Sequence, residues 1–178
     1  FIPLTVGGGI RSLEDVSLLL EAGADKVSIG SAGISRPELL TEISGEHGNQ
    51  ILVVSLDIKR GDTASGFIVT SHGGRQETGL DAMQWIEKVQ GLGAGELLIN
   101  SIDADGTRAG FDLELIEKVR KISAVPIIAS GGAGKVSDFV EAAQAGADAL
   151  LAASVFHSGE ISITTVKQAL EDAGIEAR

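Results

Sequence analysis

Short apolar runs and stretches of helical spacing alternate along this whole chain. The β-rich runs occupy 3–6, 26–29, 51–56, 96–100, 125–129 and 148–152, and helix-period segments follow near 12–22, 36–46, 81–92, 112–122, 135–145 and 161–173. Met83, Ile86 and Val89, and again Leu115, Val119 and Ile122, recur at the three- and four-residue steps that line up one face of a helix. Local signals agree with these boundaries. Ser12 stands three residues before Asp15 as a capping box, and Pro37 fits a first helical turn where its missing N–H costs little. Gly23, Gly93 and Gly146 stop their helices, and each is followed by Ala before the next strand. Six βα units in strict succession predict an α/β fold with a parallel sheet and right-handed crossovers. Residues 61–80 interrupt the alternation. There Phe67-Ile68-Val69-Thr70 and the Gly73-Gly74 turn predict a small hairpin over the C-terminal ends of the strands, where such folds carry their sites.

The pattern also repeats. Val6-Gly7-Gly8-Gly9, a helix, Gly23-Ala24-Asp25 and a strand reaching Gly30-Ser31 recur as Ser130-Gly131-Gly132, a helix, Gly146-Ala147-Asp148 and a strand reaching Ala153-Ser154. Gly8 and Gly132 are 124 positions apart, Gly23 and Gly146 123. Two copies of a multi-element unit, 1–50 and 125–175, fit a (βα)8 TIM barrel built from two four-unit halves better than a doubly wound sheet, which needs no such repeat. On that reading residues 1–178 are a single partial barrel domain with six of eight βα units. Two units, on the order of 70 residues, are then expected upstream of Phe1. An open barrel leaves two unpaired parallel edges, so a homodimer or higher assembly through them is expected.

Composition narrows the function classes. A formal charge of −11 disfavours nucleic acid and anionic membranes as partners. No stretch approaches the ~20 apolar residues of a membrane-spanning helix. The opening residues lack the basic region of a signal peptide. There is no cysteine, which suits a reducing, cytoplasmic setting. His47, His72 and His157 have no metal-ligand spacing, so neither a metal nor a cofactor is expected.

What the repeat supplies is anion chemistry. Glycine turns leading into helices present several backbone N–H groups and a positive dipole end. One such loop more often marks a tight turn. Two, each joined by a small residue and a serine at the end of the next strand (Gly30-Ser31 and Ala153-Ser154), favour a ligand with a phosphate at each end. Among the carboxylates, Asp57 stands out because Ile58-Lys59-Arg60 follow it and no helix starts there. It is a candidate general acid or base, with Lys59 as its charge partner. Asp103-Ala104-Asp105-Gly106-Thr107 reads as a ligand loop with the N–H groups of Gly106 and Thr107 turned toward the ligand.

Together, Leu4-Thr5-Val6-Gly7-Gly8-Gly9-Ile10-Arg11, Gly23-Ala24-Asp25-Lys26-Val27-Ser28-Ile29, Asp57-Ile58-Lys59-Arg60, Ser101-Ile102-Asp103-Ala104-Asp105-Gly106-Thr107, Ile128-Ala129-Ser130-Gly131-Gly132-Ala133-Gly134-Lys135 and Ala152-Ala153-Ser154-Val155-Phe156-His157 resemble the cyclase subunits of imidazole glycerol phosphate synthase. The resemblance runs from the third strand of that barrel to its eighth helix. It implies histidine biosynthesis, with ammonia delivered from a glutaminase subunit. The implied reaction converts a bis-phosphorylated ribulosyl-formimino aminoimidazole carboxamide ribotide into imidazole glycerol phosphate and the aminoimidazole carboxamide ribotide. It further implies that Asp57 is catalytic and that Gly9, Ser31, Gly106, Gly132, Ala153 and Ser154 contact phosphate, with Asp105 beside them. Asp25, Lys26 and Glu96 match positions near the face where the glutaminase docks.

Three departures go with the resemblance. The family's second catalytic Asp lies on a first strand outside this sequence, and since such groups typically contribute ~10²–10⁴-fold, cyclisation by this chain is expected to be impaired. Gly30 stands where the family usually has Asn, and Asn100 where it usually has Thr. The competing readings are a catalytically silent fragment that binds phosphate or self-associates, a paralogue in sugar-amidine synthesis, and the sister isomerase of the same pathway. Asp57-Ile58-Lys59-Arg60 and Ser154-Val155-Phe156-His157 favour the cyclase over the isomerase.

Overall fold

The alternation seen in the sequence folds into one parallel sheet with helices packed on one face. The structure, a computed structural model, describes residues 2–178. Its strands are β1 (Thr5–Gly7), β2 (Lys26–Ile29), β3 (Leu52–Arg60), β4 (Phe67–Ser71), β5 (Gln76–Asp81), β6 (Glu96–Ser101), β7 (Ile127–Ser130) and β8 (Ala149–Leu151). The helices are α1 (Leu13–Glu21), α2 (Ser31–Ser35), α3 (Glu38–His47), α4 (Ala82–Gly91), α5 (Leu113–Ile122), α6 (Val136–Gln144), α7 (Ser154–His157) and α8 (Ile163–Asp172). The parallel order β1-β2-β3-β6-β7-β8 follows the chain, as a partial (βα)8 barrel requires. Among the described residues β1 and β8 each pair on one side only.

The hairpin expected at 61–80 is present as β4 and β5. It reaches the sheet through β3, whose residues Asp57 to Arg60 pair antiparallel with Thr70 to Phe67. That pairing extends β3 four residues past the apolar run seen in the sequence and puts Asp57 inside a strand rather than beyond its end.

Period-two alternation sorts the two faces of the sheet. Val27, Ile29, Leu52, Val54, Leu56, Leu97 and Ile99 join Val16, Leu39, Ile43, Ile86, Val89 and Leu115 from the helices in the main core. A second cluster around Phe139, Ala142, Val155 and Leu170 seats α6, α7 and α8. On the opposite face the same strands present Ser28, Ser55, Asp57 and Asn100. Burial of the apolar set is what leaves those polar residues together.

The repeated segments match position by position. Gly8 and Gly131 have φ of +93° and +94°, and Gly9 and Gly132 of +76° and +102°. The helix-capping residues Ser12 and Lys135 both have φ −141°. Asp15 accepts the N–H groups of Arg11 and Ser12 at 2.9 and 3.0 Å, and Asp138 those of Gly134 and Lys135, both at 2.9 Å. These backbone hydrogen bonds, the one from Arg11 first, hold the Asp15 carboxyl below the usual carboxylate range. All these pairs are 123 positions apart, which corrects the 124-position match of Gly8 with Gly132. In sequence a triple glycine aligns with a double one in two registers. The left-handed dihedrals select one of them.

Candidate functional site: two glycine-lined cavities and a carboxylate

The first cavity, about 700 Å³, opens at the C-terminal ends of β1, β2 and β3. Gly7, Gly8 and Gly9 form one wall, Gly30, Ser31 and Ser35 another, and Ser28, Ser55, Asp57 and Thr70 line it as well. Nothing lies within 4 Å of where a Cβ would stand at Gly8 or Gly9, so these residues are glycine for their left-handed φ and not for lack of room. Arg11, Arg36 and His72 also line this cavity.

The second cavity, about 150 Å³, lies at the ends of β7 and β8. It is lined by Asp105, Gly106, Arg108, Ser130, Gly131, Gly132, Ala153 and Ser154. Its glycines have a further reason to be glycine. A Cβ on Gly131 would come within 2.7 Å of the Ser101 carbonyl oxygen, and one on Gly132 would overlap the Gly110 carbonyl. The Gly110 N–H donates to Gly132 O at 2.9 Å, closing the 101–110 loop directly onto the turn.

Between the cavities stand Asp57 and Asn100, neighbours on β3 and β6. The Asn100 side-chain amide donates to Asp57 Oδ1 at 3.0 Å, while its Oδ1 faces Gly131 across the second turn. Thr70 from the hairpin donates its hydroxyl to the Asp57 carbonyl oxygen at 2.9 Å. Asp57 is thus fixed from three strands while its carboxylate keeps a cavity face, a geometry suited to proton transfer.

Two sequence expectations fail here. Lys59 does not serve Asp57, because its ammonium pairs with Glu77 of the hairpin at 2.7 Å. The Thr107 N–H does not face a ligand but donates back to Ala104 O at 3.0 Å, closing a turn. Both depend on where the hairpin and the loop fold back, which neighbouring residues do not encode.

The other predicted positions separate by face. Gly9 and Ser31 join Asp57 at the first cavity, and Asp105, Gly106, Gly132, Ala153 and Ser154 gather at the second. Asp25, Lys26 and Glu96 lie at the starts of β2 and β6, at the other end of the strands. Lys26 and Glu96 form an ion pair across β3, and Asp25 accepts the Leu4 N–H at 2.7 Å, as Asp148 accepts that of Ile127 at 2.8 Å.

An anchoring cluster was not foreseen from the sequence. The Arg60 N–H donates to Asp103 at 2.7 Å, and its guanidinium donates to Asp112 at 2.6 Å and Glu114 at 3.0 Å. The bond to Asp112 leads in holding the Arg60 pKa above its ordinary value, against its partial burial. Asp112 also caps α5 through Leu115 N–H, so one ionic knot fixes the far end of β3 and the 102–112 loop together. Only the basic residue after Asp57 hinted at this. Its partners are 43 to 54 residues away.

Comparison with known proteins adds a family to this geometry. The family model described as "Histidine biosynthesis protein" matches residues 1–162. Over 179 residues the chain is 65% identical to imidazole glycerol phosphate synthase subunit HisF of Leifsonia xyli, covering all of this chain and 70% of that protein. The chain belongs to the HisF family. It is 60% identical to the HisF subunits of Beutenbergia cavernae and of Thermobifida fusca, in each case over all of this chain and 71% of the relative. This HisF-family chain is therefore of the cyclase type in histidine biosynthesis, and the resemblance read from the Asp57-Ile58-Lys59-Arg60 and Ser130-Gly131-Gly132 strings is borne out. No helix among the described residues is long and apolar enough to cross a membrane.

Proposed function

We propose that the two cavities each hold one phosphate of a single bis-phosphorylated substrate, the ribulosyl-formimino aminoimidazole carboxamide ribotide. Asp57 then moves a proton at the reacting centre between them. The observation that carries this reading is the pair of glycine-lined cavities at the same end of one sheet, with the Asp57–Asn100 pair standing between. Gly9 and Ser31 form the first grip, and Gly106, Gly132, Ala153 and Ser154 the second, with Asp105 at its rim. Backbone N–H groups and hydroxyls suit phosphate because they need not be desolvated as charges before it arrives.

Ammonia enters from the opposite end of the strands on this reading, from a glutaminase subunit docked near Asp25, Lys26 and Glu96. What supports it is that these three charged side chains lie at the end of the strands away from both cavities. Isothermal titration tests the two-phosphate reading. The bis-phosphate is expected to bind about tenfold or more tightly than analogues lacking either phosphate, in keeping with charge-assisted hydrogen bonds of ~1.5–3 kcal/mol. Equal affinity for all three ligands overturns it.

The 178-residue chain by itself is expected to self-associate through its sheet edges. Leu4 beside β1 and Leu151 in β8 are 54% and 42% exposed, beside strands with one unpaired side each. Native mass spectrometry that finds monomer alone overturns this.

A further inference from the structure

The 2–178 segment has two non-glycine residues with left-handed backbone, His72 (φ +55°) and Arg108 (φ +58°). Such conformations cost of order 1–2 kcal/mol in a residue with a side chain and collect at functional sites. These two are not scattered. His72 lines the first glycine cavity and Arg108 the second.

Each sits where a neighbouring loop docks onto a grip. The His72 N–H donates to Ser31 Oγ at 3.0 Å, tying the tip of the β4–β5 hairpin to the serine of the first cavity. Its ring is held by Nδ1, 3.0 Å from Ser71 Oγ, and Nε2 has no protein partner among the described residues. The Arg108 carbonyl packs so tightly on Gly134 that no Cβ fits there, two residues beyond Gly132. Its guanidinium is half-exposed and bonded to Glu160 at 2.9 Å.

Charge gives both positions a purpose. Asp57 shares the first cavity and Asp105 the second, and each carboxylate repels a phosphate dianion. The backbone N–H groups of the turns carry only partial charge. Resting on the two-phosphate reading above, we propose that His72 and Arg108 are the side-chain donor arms of the two grips. His72 donates from Nε2 to the phosphate of the first, and Arg108 donates from its guanidinium to that of the second. Arg11 and Arg36 also line the first cavity, but neither is bonded to Gly9 or Ser31, whereas the His72 N–H holds Ser31.

The test follows the two grips separately in one molecule. Inorganic phosphate is titrated into the isotopically labelled 178-residue chain, and NMR follows the amides of Gly9 and Ser31 and those of Gly132 and Ser154. Asparagine tolerates left-handed backbone, so His72→Asn and Arg108→Asn remove the arm and leave the turn. His72→Asn should weaken phosphate about tenfold at Gly9 and Ser31 and leave Gly132 and Ser154 unchanged, and Arg108→Asn should do the reverse. The untouched grip reports that the variant is folded. His72→Gln, whose amide nitrogen stands in for Nε2, and Arg108→Lys should restore most of the loss. The inference is overturned if the Asn variants leave their own grip unchanged, or if His72→Gln falls with His72→Asn. Phosphate that shifts neither set of amides in the unaltered chain overturns the two-phosphate reading together with it.

Discussion

Replacing Asp57 by Asn is expected to lower the rate of ammonia-dependent cyclisation by about 10²–10⁴-fold while leaving substrate affinity nearly unchanged. The change removes the charge and the basic oxygen but keeps the size of the group. The Thr70 hydroxyl bond survives because it is made to the backbone carbonyl of residue 57. An amide at 57 can still accept from Asn100, so strand β3 and both cavities keep their form. Substrate binding, carried by the glycine turns and serines, is then separated from proton transfer. The measurement is steady-state turnover with ammonium salt in place of a glutaminase, with substrate binding determined calorimetrically. Unaltered turnover in Asp57→Asn would remove this residue from the chemistry. A loss of affinity as large as the loss of rate would make it a binding group.

The second large effect is a contrast between two glycines that the fold makes equivalents, Gly9 and Gly132. Gly132→Ala should destabilise the fold by several kcal/mol and abolish phosphate binding at the second cavity. Its Cβ would overlap the Gly110 carbonyl, which belongs to backbone already bonded to Gly132, and the φ of +102° is unfavourable for any side chain. Gly9→Ala should cost only the left-handed term, about 1–2 kcal/mol, because the space around it is open. Urea unfolding of both variants, compared at equal m-value, gives the two numbers. Equal costs would mean that the 101–110 loop yields to the added methyl. The close packing at the second turn would then be incidental.

Much of this was legible in the sequence because it depends on local rules. The Ser12–Asp15 capping box, the left-handed glycines at 23, 93 and 146 and the strand positions near 26–29 and 96–100 all appear as expected. α2 and α7 were missed, since helices of five and four residues are too short to show a period. Both start on the serines, Ser31 and Ser154, that the sequence reading placed at strand ends.

The residues around Asp57 divide along the same line. That an acid stands at the end of an apolar run is visible in one dimension. That its partner is Asn100 and not Lys59 depends on pairing between β3 and β6, 43 residues apart, and on the hairpin that draws Lys59 to Glu77. His72 and Arg108 are plain polar residues in sequence. Only the return of their loops onto the glycine turns gives them left-handed backbone and a cavity to face.

The sequence by itself determined the order of the elements, the two glycine turns with their serines and the family. Apolar period, glycine torsional freedom and capping act between residues a few positions apart. Tertiary structure alone decided the 123-position register of the two halves, the partners of Asp57, Lys59 and Arg60, and which glycines are glycine for lack of space. Those depend on contacts between distant strands and loops, whose geometry exists only once the sheet has buried its apolar face.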